Sequence, residues 1–325
     1  MMNTLSPTPF IAASITKAAS KQTYYTIRFL VDRDRVVDAY KAYAYFRWVD
    51  DTLDGDSVRS AVDTCPGGQC QGAHERLTFL QRQKTLLKKC YRGEIPQDAT
   101  MEEQMLVELV RRDQEKNSGL QSYLYNMMQV MEFDAKRRGS LISQTELNEY
   151  TRWLATAVTE AMHYFIGHCC YSPHTEIRYL AVSGAHITHM LRDTFDDLQA
   201  GYYNVPREVL EANHIQPHDT QSKAYRAWVK SRVQLARQYF TAGRAYLARV
   251  ENPRCRLAGL AYTARFEWLL DTIEREDFSL RPQYDERKSV GTGLRMGLST
   301  LFSIINLRGT ETVHQPVVSQ SFRKP

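Results

Sequence analysis

Two clusters of aspartates contain the residues whose types and spacing are best suited to chemistry. Asp50 and Asp54 lie four positions apart in YFRWVDDTLDGD, residues 45–56, and Asp193 and Asp197 lie four apart in HITHMLRDTFDDLQAG. On a helix, each pair would project from one face. Like charges at this spacing repel by roughly a few tenths of a kcal/mol when exposed, and far more when desolvated. We therefore expect a cation to compensate them.

The type of cation follows from the ligand atoms. Carboxylates bind hard cations, and Mg²⁺ is usually held by a few carboxylates while it keeps waters and binds substrate phosphates. Two such pairs on facing helices predict a Mg²⁺ site, with Mn²⁺ as a substitute, that grips one anionic ligand from both sides. Arg47 and Arg192 stand next to the pairs, and the arginine fork suits phosphate oxygens. A solvated acidic helix end would explain one isolated pair, but two pairs, each with an arginine, favour the metal and phosphate interpretation.

The elements that must position these residues are helices. From Asp34 to Gly55 apolar and aromatic residues recur at helical spacing without an internal Gly or Pro, which predicts one long helix, followed by a loop of about twenty residues. Further helices are predicted over residues 74–93, 101–117, 120–138, 143–167, 176–200, 222–250 and 253–277. Alternating strand patterns are nearly absent. The predicted fold is all-α, with long helices surrounding a central apolar cavity.

Composition limits the functional class. The 325 residues carry 42 basic and 37 acidic side chains, a small and dispersed excess that argues against a nucleic-acid partner. No segment approaches the roughly 18 apolar residues of a membrane span, and the N-terminus lacks signal-peptide features, so we expect a soluble cytoplasmic protein. Cys169 and Cys170 are predicted to be small buried side chains in a helix, and residues 65–70 to form a surface loop.

Four ordered segments resemble the squalene and phytoene synthase family, the head-to-head branch of the all-helical trans-isoprenyl diphosphate synthases. RWVDDTLDG resembles its first aspartate motif and LRDTFDDLQAGYYNVPREVL its second. FDAKRRGSLISQTELNEYTRWLATAVTEA resembles the central region, and LLDTIEREDFSLRP the last core helix. The similarity covers roughly residues 15–285 and is far more specific than one motif. It implies the isoprenoid synthase fold, with one domain over residues 1–308 and a disordered tail over 309–325.

The resemblance implies a role for individual residues. The four aspartates would bind Mg²⁺ and, through it, the diphosphates. The side chains that would hold diphosphate oxygens directly are Ser20, Lys21, Tyr43, Arg47 and Arg192. Tyr150 matches an aromatic residue that lies near the reacting carbons in the family and is linked to proton transfer. Arg281, Arg287 and Lys288 are candidates for basic contacts that close the site.

The chemistry that the resemblance implies suits these residue types. Magnesium would neutralise the diphosphate leaving group of farnesyl or geranylgeranyl diphosphate, so that the allylic C–O bond ionises. A second prenyl diphosphate would then attack the cation, giving a cyclopropyl intermediate and finally a squalene-, dehydrosqualene- or phytoene-type product. Four aromatic residues are available to wall the cation cavity, although core packing is the alternative for them: Phe46, Trp48, Trp153 and Phe266.

Several positions depart from the family pattern. Thr156 and Thr159 replace a Gly-x-x-Gly step and should narrow or polarise the cavity, and Phe266 lacks the hydroxyl of a family tyrosine. His186 and His189 replace amide side chains on the helix face of the acids. We expect these histidines to bind diphosphate or to donate a proton, and to stay protonated because carboxylates lie nearby. The equal alternative is that they only fill space along the helix face.

These departures leave a second interpretation open. A class I terpene synthase would ionise a single prenyl diphosphate and cyclise or hydrate it, whereas two complete acid pairs argue against a non-catalytic homologue. Reduction to squalene would require NADPH, but the only glycine-rich stretch, GTGLRMG at 291–297, follows no strand, so the sequence does not favour NADPH and leaves it open. The following apolar segment could cap the tunnel or contact a membrane surface. Substrate chain length, product skeleton and oligomeric state are not determined by the sequence.

Overall fold

The fold is all-α, as predicted. The computed structural model describes residues 8–55, 68–94, 96–168 and 170–284, and within these ranges it has no strand, only an isolated bridge between Leu141 and Tyr203. The α-helices of the described ranges are α1 (Thr8–Ala19), α2 (Lys21–Leu30), α3 (Val36–Asp54), α4 (Gly68–Tyr91), α5 (Met101–Arg112), α6 (Gly119–Arg137), α7 (Gln144–Phe165), α8 (Leu180–Arg192), α9 (Thr194–Ala200), α10 (Arg207–Asn213), α11 (Lys223–Leu247) and α12 (Pro253–Arg275).

Local sequence explains where most helices begin. Thr100 and Glu103 form a capping box at the start of α5, and Ser143 and Glu146 form another at the start of α7. In each, two otherwise unpaired backbone N–H groups gain a side-chain acceptor. Asn252 caps α12, whose first residue is a proline. These signals lie in the sequence itself, so the predicted starts agree closely with the observed ones.

Two helix boundaries differ from the prediction by five residues or more. Helix α4 begins at Gly68, six residues before the predicted start, although Gly68 and Gly72 are poor helix formers. The prediction of a surface loop over 65–70 is therefore wrong for residues 68–70, which form the first turn of α4. Helix α5 ends at Arg112, five residues before the predicted end. Asp113 takes an extended conformation there, and its carboxylate accepts hydrogen bonds from the hydroxyls of Tyr91 and Ser118 at 2.9 and 2.6 Å.

The predicted helix over 176–200 is broken, and the break falls on a predicted metal ligand. A 3₁₀ turn at Glu176–Tyr179 leads into α8, and Asp193, with φ −93° and ψ 9°, separates α8 from α9. The amide of Asp193 still donates to the carbonyl of His189 at 3.0 Å, and that of Asp197 to the carbonyl of Asp193 at 2.8 Å. The chain therefore keeps nearly helical spacing, and the two aspartates stay one turn apart.

The prediction for Cys170 is wrong. Helix α7 ends at Phe165, and Cys170 is exposed in the turn that follows. Gly167 has φ +74°, and a Cβ there would lie 2.2 Å from the side-chain nitrogen of Asn252, so only glycine fits this turn. Cys169, residues 65–67 and the predicted tail 309–325 lie outside the described residues.

Helix α8 is the central element of the packing. Almost all of its side chains are buried, and it packs against α7, α11 and α12. Helix α6 lies along α7 and also contacts α3 and α4, while α3 packs on α1 and α5. Burial of the many apolar side chains along these contacts is the main favourable term in folding. Within the described ranges, no helix combines the length and apolar character needed to cross a bilayer.

The crossing of α8 and α11 depends on Gly243. A Cβ at this position would lie 2.6 Å from Cβ and 2.8 Å from Cα of Ala181. We expect Gly243→Ala to lower the free energy of unfolding by about 1–3 kcal/mol, because the two backbones would have to separate. Urea unfolding followed by far-UV circular dichroism measures this. Gln234→Ala, an exposed change on the same helix, should stay within about 0.5 kcal/mol; equal stability of the two variants would contradict the close crossing.

Candidate active site

The first aspartate cluster occupies the last turns of α3. Asp50 is half-buried, and burial raises its pKa to about 6, with Asp54 adding to the shift and Arg47 opposing it. The Arg47 guanidinium forms a two-point ion pair with Asp51, with Nε 3.0 Å from Oδ2, and its Nη1 lies 3.5 Å from Oδ2 of Asp50. Asp54 is the last residue of the helix. The cluster thus carries more negative charge than its arginine balances.

Two predicted phosphate-binding residues adjoin this cluster. Tyr43 lies one turn before Arg47, a side-chain hydrogen bond joins it to Ser20, and burial raises its pKa. Ser20 also caps α2, accepting a hydrogen bond from the amide of Thr23 at 3.2 Å. Lys21 begins α2 and is exposed to solvent. The structure therefore brings Ser20, Tyr43 and Arg47 together near Asp50, while Lys21 lies at the surface.

The second cluster is held by an arginine, a histidine and an amide side chain. Nε and Nη2 of Arg192 lie 2.5 and 2.7 Å from the two carboxylate oxygens of Asp193, and Nε2 of His189 lies 2.9 Å from Oδ2. Burial opposes ionisation of Asp193, but these hydrogen bonds outweigh it and lower its pKa. Burial raises the pKa of Asp197 to about 6, although Asn204 donates to its carboxylate at 2.6 Å.

A third acid, Asp134 of α6, connects the two clusters. The Tyr150 hydroxyl donates to its Oδ2 at 2.8 Å, and Nε of Arg137 donates to its Oδ1 at 2.7 Å. Nη1 of Arg137 donates to Oδ1 of Asn204 at 2.8 Å, and Asn204 in turn binds Asp197. One continuous chain of hydrogen bonds therefore runs from Tyr150 to the second aspartate pair.

Asp134 also interacts with the first pair. Burial raises the pKa of Asp134, Arg137 opposes the shift, and the negative charge of Asp54 adds to it. The charge of Asp134 likewise contributes to the raised pKa values of Asp50 and Asp197. The two aspartate pairs, 139 residues apart at their nearest members (193 − 54), thus converge around the half-buried carboxyl group of Asp134.

His186 lies beside Tyr150 rather than beside a carboxylate. The two rings make an edge-to-face contact with centroids 4.8 Å apart, and His186 is only 5% exposed. Burial lowers its pKa to about 3, and the positive charge of nearby Arg137 adds to the shift. The expectation that His186 stays protonated is therefore wrong. Its Nε2 is buried without a hydrogen-bond partner among the described residues.

The aromatic candidates divide into two groups. Phe46 packs edge-on against Tyr123, and Trp48 against Phe79, which agrees with the core-packing alternative. The other two lie closer to the polar residues of the site: Trp153 contacts Phe133, which stacks on Tyr150, and the ring of Phe266 lies 6.1 Å from that of His189. Phe266 lacks the hydroxyl of the family tyrosine, but a tyrosine lies one turn earlier. The ring of Tyr262 packs against that of Phe266, with centroids 5.2 Å apart.

The remaining candidates are spread more widely. Thr159 is buried, and its hydroxyl has no hydrogen-bond partner in the described part of the chain, whereas Thr156 is half-buried. Arg281 pairs with Glu276 beyond the end of α12. Arg287, Lys288, the glycine-rich stretch 291–297 and the apolar segment after it lie outside the described residues.

The metal prediction can be compared with the donor set. Among the described residues, no three His, Cys, Asp or Glu side chains lie close enough together to hold one metal ion. The carboxylates still fit Mg²⁺ in chemistry, because they are oxygen donors and because burial, together with their mutual repulsion, raises the pKa of Asp50 and Asp197. A Mg²⁺ ion here would take one or two carboxylates and complete its shell from waters and phosphate oxygens.

Sequence reasoning missed the residues between the two pairs. Asp134 and Arg137 stand three apart in FDAKRR, an ion-pair spacing on a helix, and Asn204 and Tyr202 stand in AGYYNVP. These residues lie in segments already compared with family motifs. The sequence does show an acid followed by an arginine at helical spacing, Asp134 and Arg137. Only the fold shows that these two side chains lie near the aspartate pairs.

Arg137 is the cation that neutralises this buried cluster. It is 8% exposed and its guanidinium lies 5.0 Å from the ring centroid of Tyr150 and 4.9 Å from that of Tyr202. We expect Arg137→Met to lower the free energy of unfolding by about 2–4 kcal/mol, because it leaves the half-buried Asp134 without its counter-ion. Urea unfolding at neutral pH measures the loss.

The neighbouring arginine provides the control. Arg138 donates to the carbonyl of Ala200 at 3.1 Å and forms no ion pair with a described carboxylate. Arg138→Met should therefore cost at most about 1 kcal/mol. Similar losses in both variants would show that Arg137 does not compensate a buried acid.

Comparison with known proteins assigns the chain to a family. The family described as squalene/phytoene synthase matches residues 16–291. A crystal structure of squalene synthase HpnC from Alicyclobacillus acidocaldarius is similar with a TM-score of 0.63 and 18% identity, covering 84% of this chain and 95% of that one. A crystal structure of a dehydrosqualene synthase in complex with ligand is similar with a TM-score of 0.64 and 16% identity, covering 93% of this chain and 97% of that one.

The two kinds of similarity agree. No curated protein sequence matches the chain significantly. At such low identity the solved structures establish the fold alone, which is the predicted isoprenoid synthase fold. The matched family segment spans most of the sequence and includes both aspartate pairs, Asp134 and Tyr150. The chain therefore belongs to the squalene/phytoene synthase family.

Proposed function

We propose that this protein is a Mg²⁺-dependent prenyltransferase that condenses two molecules of farnesyl or geranylgeranyl diphosphate head-to-head, with release of diphosphate. Head-to-head prenyl transfer is the reaction of the family, so the class of prenyltransferase follows at the family level. The observation that carries the finer proposal is the convergence of both aspartate pairs around Asp134. The product is proposed to be of the squalene, dehydrosqualene or phytoene type.

The charge balance of the site supports a bound metal. The converging carboxyl groups outnumber the arginines that contact them, and the donors are oxygen atoms throughout. The acidic groups are Asp50, Asp54, Asp134, Asp193 and Asp197, and the arginines are Arg47, Arg137 and Arg192. Mg²⁺ held by the two aspartate pairs would supply Lewis-acid neutralisation of the diphosphate leaving group. Mn²⁺ would serve the same purpose.

The arginines and hydroxyls of the first cluster are suited to diphosphate. Arg47, Tyr43 and Ser20 lie together beside Asp50, and Arg192 lies beside Asp193. In this structure both arginines bind carboxylates, Arg47 to Asp51 and Arg192 to Asp193. A diphosphate would compete for the same guanidinium groups, because phosphate oxygens also accept bidentate hydrogen bonds. Lys21, at the surface of α2, would act only as a long-range positive charge.

Tyr150 is the proposed proton-handling group. Burial and the negative charge of Asp134 raise its pKa well above the usual range, so the phenol stays protonated. Its proton lies in a 2.8 Å hydrogen bond to Asp134, which makes Tyr150 Oη and Asp134 Oδ2 a ready donor–acceptor pair. His186, kept neutral beside the ring, adds an acceptor nitrogen without adding charge.

One observation favours the single-substrate alternative. Nε2 of His186 and the hydroxyl of Thr159 are both buried without hydrogen-bond partners in the described residues. Buried polar atoms of this kind are usually satisfied by an ordered water. A water held near a carbocation would quench it to an alcohol, as a hydrating terpene synthase requires. The product therefore distinguishes the two functions.

The decisive experiment is product identification. The purified protein is incubated with Mg²⁺ and either farnesyl or geranylgeranyl diphosphate, with and without NADPH, and extracts are analysed by mass spectrometry. We expect a C30 or C40 hydrocarbon, or its cyclopropyl diphosphate precursor. A C15 or C20 terpene or alcohol as the main product would overturn head-to-head condensation in favour of the alternative. A change of product with NADPH would show that reduction is part of the reaction.

The aspartates are tested by isosteric replacement. We expect Asp50→Asn and Asp193→Asn each to lower kcat by about 10²–10³, the range for losing one preorganised electrostatic contact, and EDTA to abolish turnover. Asp196→Asn is the matched control, because Asp196 is exposed next to Asp197 and lies outside both pairs. Unchanged activity in Asp50→Asn or Asp193→Asn would refute the role of the pairs in metal and diphosphate binding.

A further inference from the structure

A groove away from the aspartates has the features of an anion site. It lies between α7, α8 and α11 and has a volume of ≈ 50 Å³. Its floor is the buried α8, through Ser183, Ile187 and Met190, and its walls come from α7 and α11. None of the residues assigned to the diphosphate and metal site lines it.

Arg232 forms one wall of the groove. Its side chain is half-buried, and burial lowers its pKa. No carboxylate of the described residues pairs with it, and its Nε only makes a long hydrogen bond to the hydroxyl of the adjacent Ser231, at 3.4 Å. A guanidinium that is partly removed from water and has no carboxylate partner would be stabilised by an anion, so this position suits a ligand that supplies negative charge.

The opposite wall carries a second arginine, which is exposed to solvent. Arg152 of α7 lines the groove and likewise has no carboxylate partner among the described residues, and no acidic side chain lines the groove at all. Asn148, one turn before Arg152, accepts a hydrogen bond from Gln144 through Oδ1, which leaves its amide N–H groups as donors. Tyr239 of α11 adds a hydroxyl. The polar lining is thus rich in donors and carries two positive charges.

The rest of the lining is aliphatic. Leu147 of α7 and Leu235 of α11 join Ile187 and Met190 of the floor. A fully hydrated inorganic ion would gain nothing from these side chains, whereas the first carbons of an organic phosphate would be removed from water by them. The small volume accommodates a single phosphate group.

We propose that this groove binds the phosphate head of an amphiphilic phosphate monoester, with Arg152 and Arg232 on either side of the phosphate and its first carbons on the aliphatic floor. The site does not depend on the proposed function of the aspartates. A prenyl monophosphate and the head of a phosphatidic acid share this chemistry, as does free phosphate without the carbon chain, and the experiment separates the three.

Binding is measured by isothermal titration calorimetry in EDTA, with the Asp50→Asn/Asp193→Asn double variant as the reference protein, so that metal-assisted binding at the aspartates does not contribute. The probes are inorganic phosphate, farnesyl monophosphate and dihexanoyl phosphatidic acid. We expect at least one organic probe to bind more tightly than inorganic phosphate, and the tighter of the two identifies the source. Equal binding of all three probes, or none in the millimolar range, would overturn the proposal.

Arginine variants in the same background locate the site. We expect Arg232→Gln to raise the Kd by at least about tenfold and Arg152→Gln to raise it less, because Arg152 is more exposed and a hydrogen bond to a charged group is worth more when desolvated. Arg249→Gln is the control, since Arg249 is an exposed arginine just beyond α11. Equal affinity of Arg232→Gln and Arg249→Gln would place any binding elsewhere and overturn the proposal.

Thermal unfolding distinguishes a ligand site from a structural role of Arg232. Without a probe, Arg232→Gln should unfold at the same temperature as the reference protein or higher, because it removes an unpaired charge. The tightest probe should raise the unfolding temperature of the reference protein and leave that of Arg232→Gln unchanged. Two results together would overturn the proposal. The first is a much lower unfolding temperature of Arg232→Gln without a probe, and the second is a probe-induced rise in unfolding temperature that is equal in Arg152→Gln and the reference protein. No step measures turnover, so failure here is separate from failure of the proposed function.

Discussion

The structure of the site depends on the neutralisation of one half-buried carboxyl group. Asp134 lies between two aspartate pairs, and without a positive charge beside it the repulsion among these acids would increase. Arg137 supplies that charge at 2.7 Å, and its planar group also binds Asn204 and lies between the rings of Tyr150 and Tyr202. Because a single guanidinium links α6, α7 and the loop after α9, the distance between these elements is determined by a rigid polar contact rather than by apolar packing alone.

Asp193 has a different environment from Asp50 and Asp197. Asp193 is ionised through contacts with Arg192 and His189, whereas burial and neighbouring acids raise the pKa of Asp50 and Asp197. The helix is interrupted at Asp193, so Asp193 lies at the end of α8 whereas Asp197 lies within the short α9. Asp193 is thus already ionised, whereas ionisation of Asp50 and Asp197 is unfavourable unless a cation binds beside them.

The departures from the family pattern now have distinct physical meanings. His186 is a neutral, buried ring against Tyr150, and His189 is a partner of Asp193, so two histidines that looked equivalent in the sequence differ in environment and role. Thr159 places a hydroxyl in the interior, where glycine would have none, and that hydroxyl has no hydrogen-bond partner among the described residues. Thr159 and His186 thus each bring a buried polar atom without such a partner into the interior. A buried polar atom is costly unless it has a hydrogen-bond partner, such as an ordered water. Because a water at this place would affect how the proposed carbocation is quenched, we expect these positions to affect the product rather than the fold.

The sequence by itself determined the helical class, the starts of half of the described α-helices and the two aspartate pairs, because helical periodicity, capping residues and i,i+4 spacing are local properties. It failed where a contact distant in sequence decided the outcome: α5 ends early at Asp113, and Gly167 must fit against Asn252. Only the tertiary structure showed that Asp134 joins the two pairs and that His186 is neutral. Burial and the charges of other helices decide both, and neither can be read from spacing along one chain.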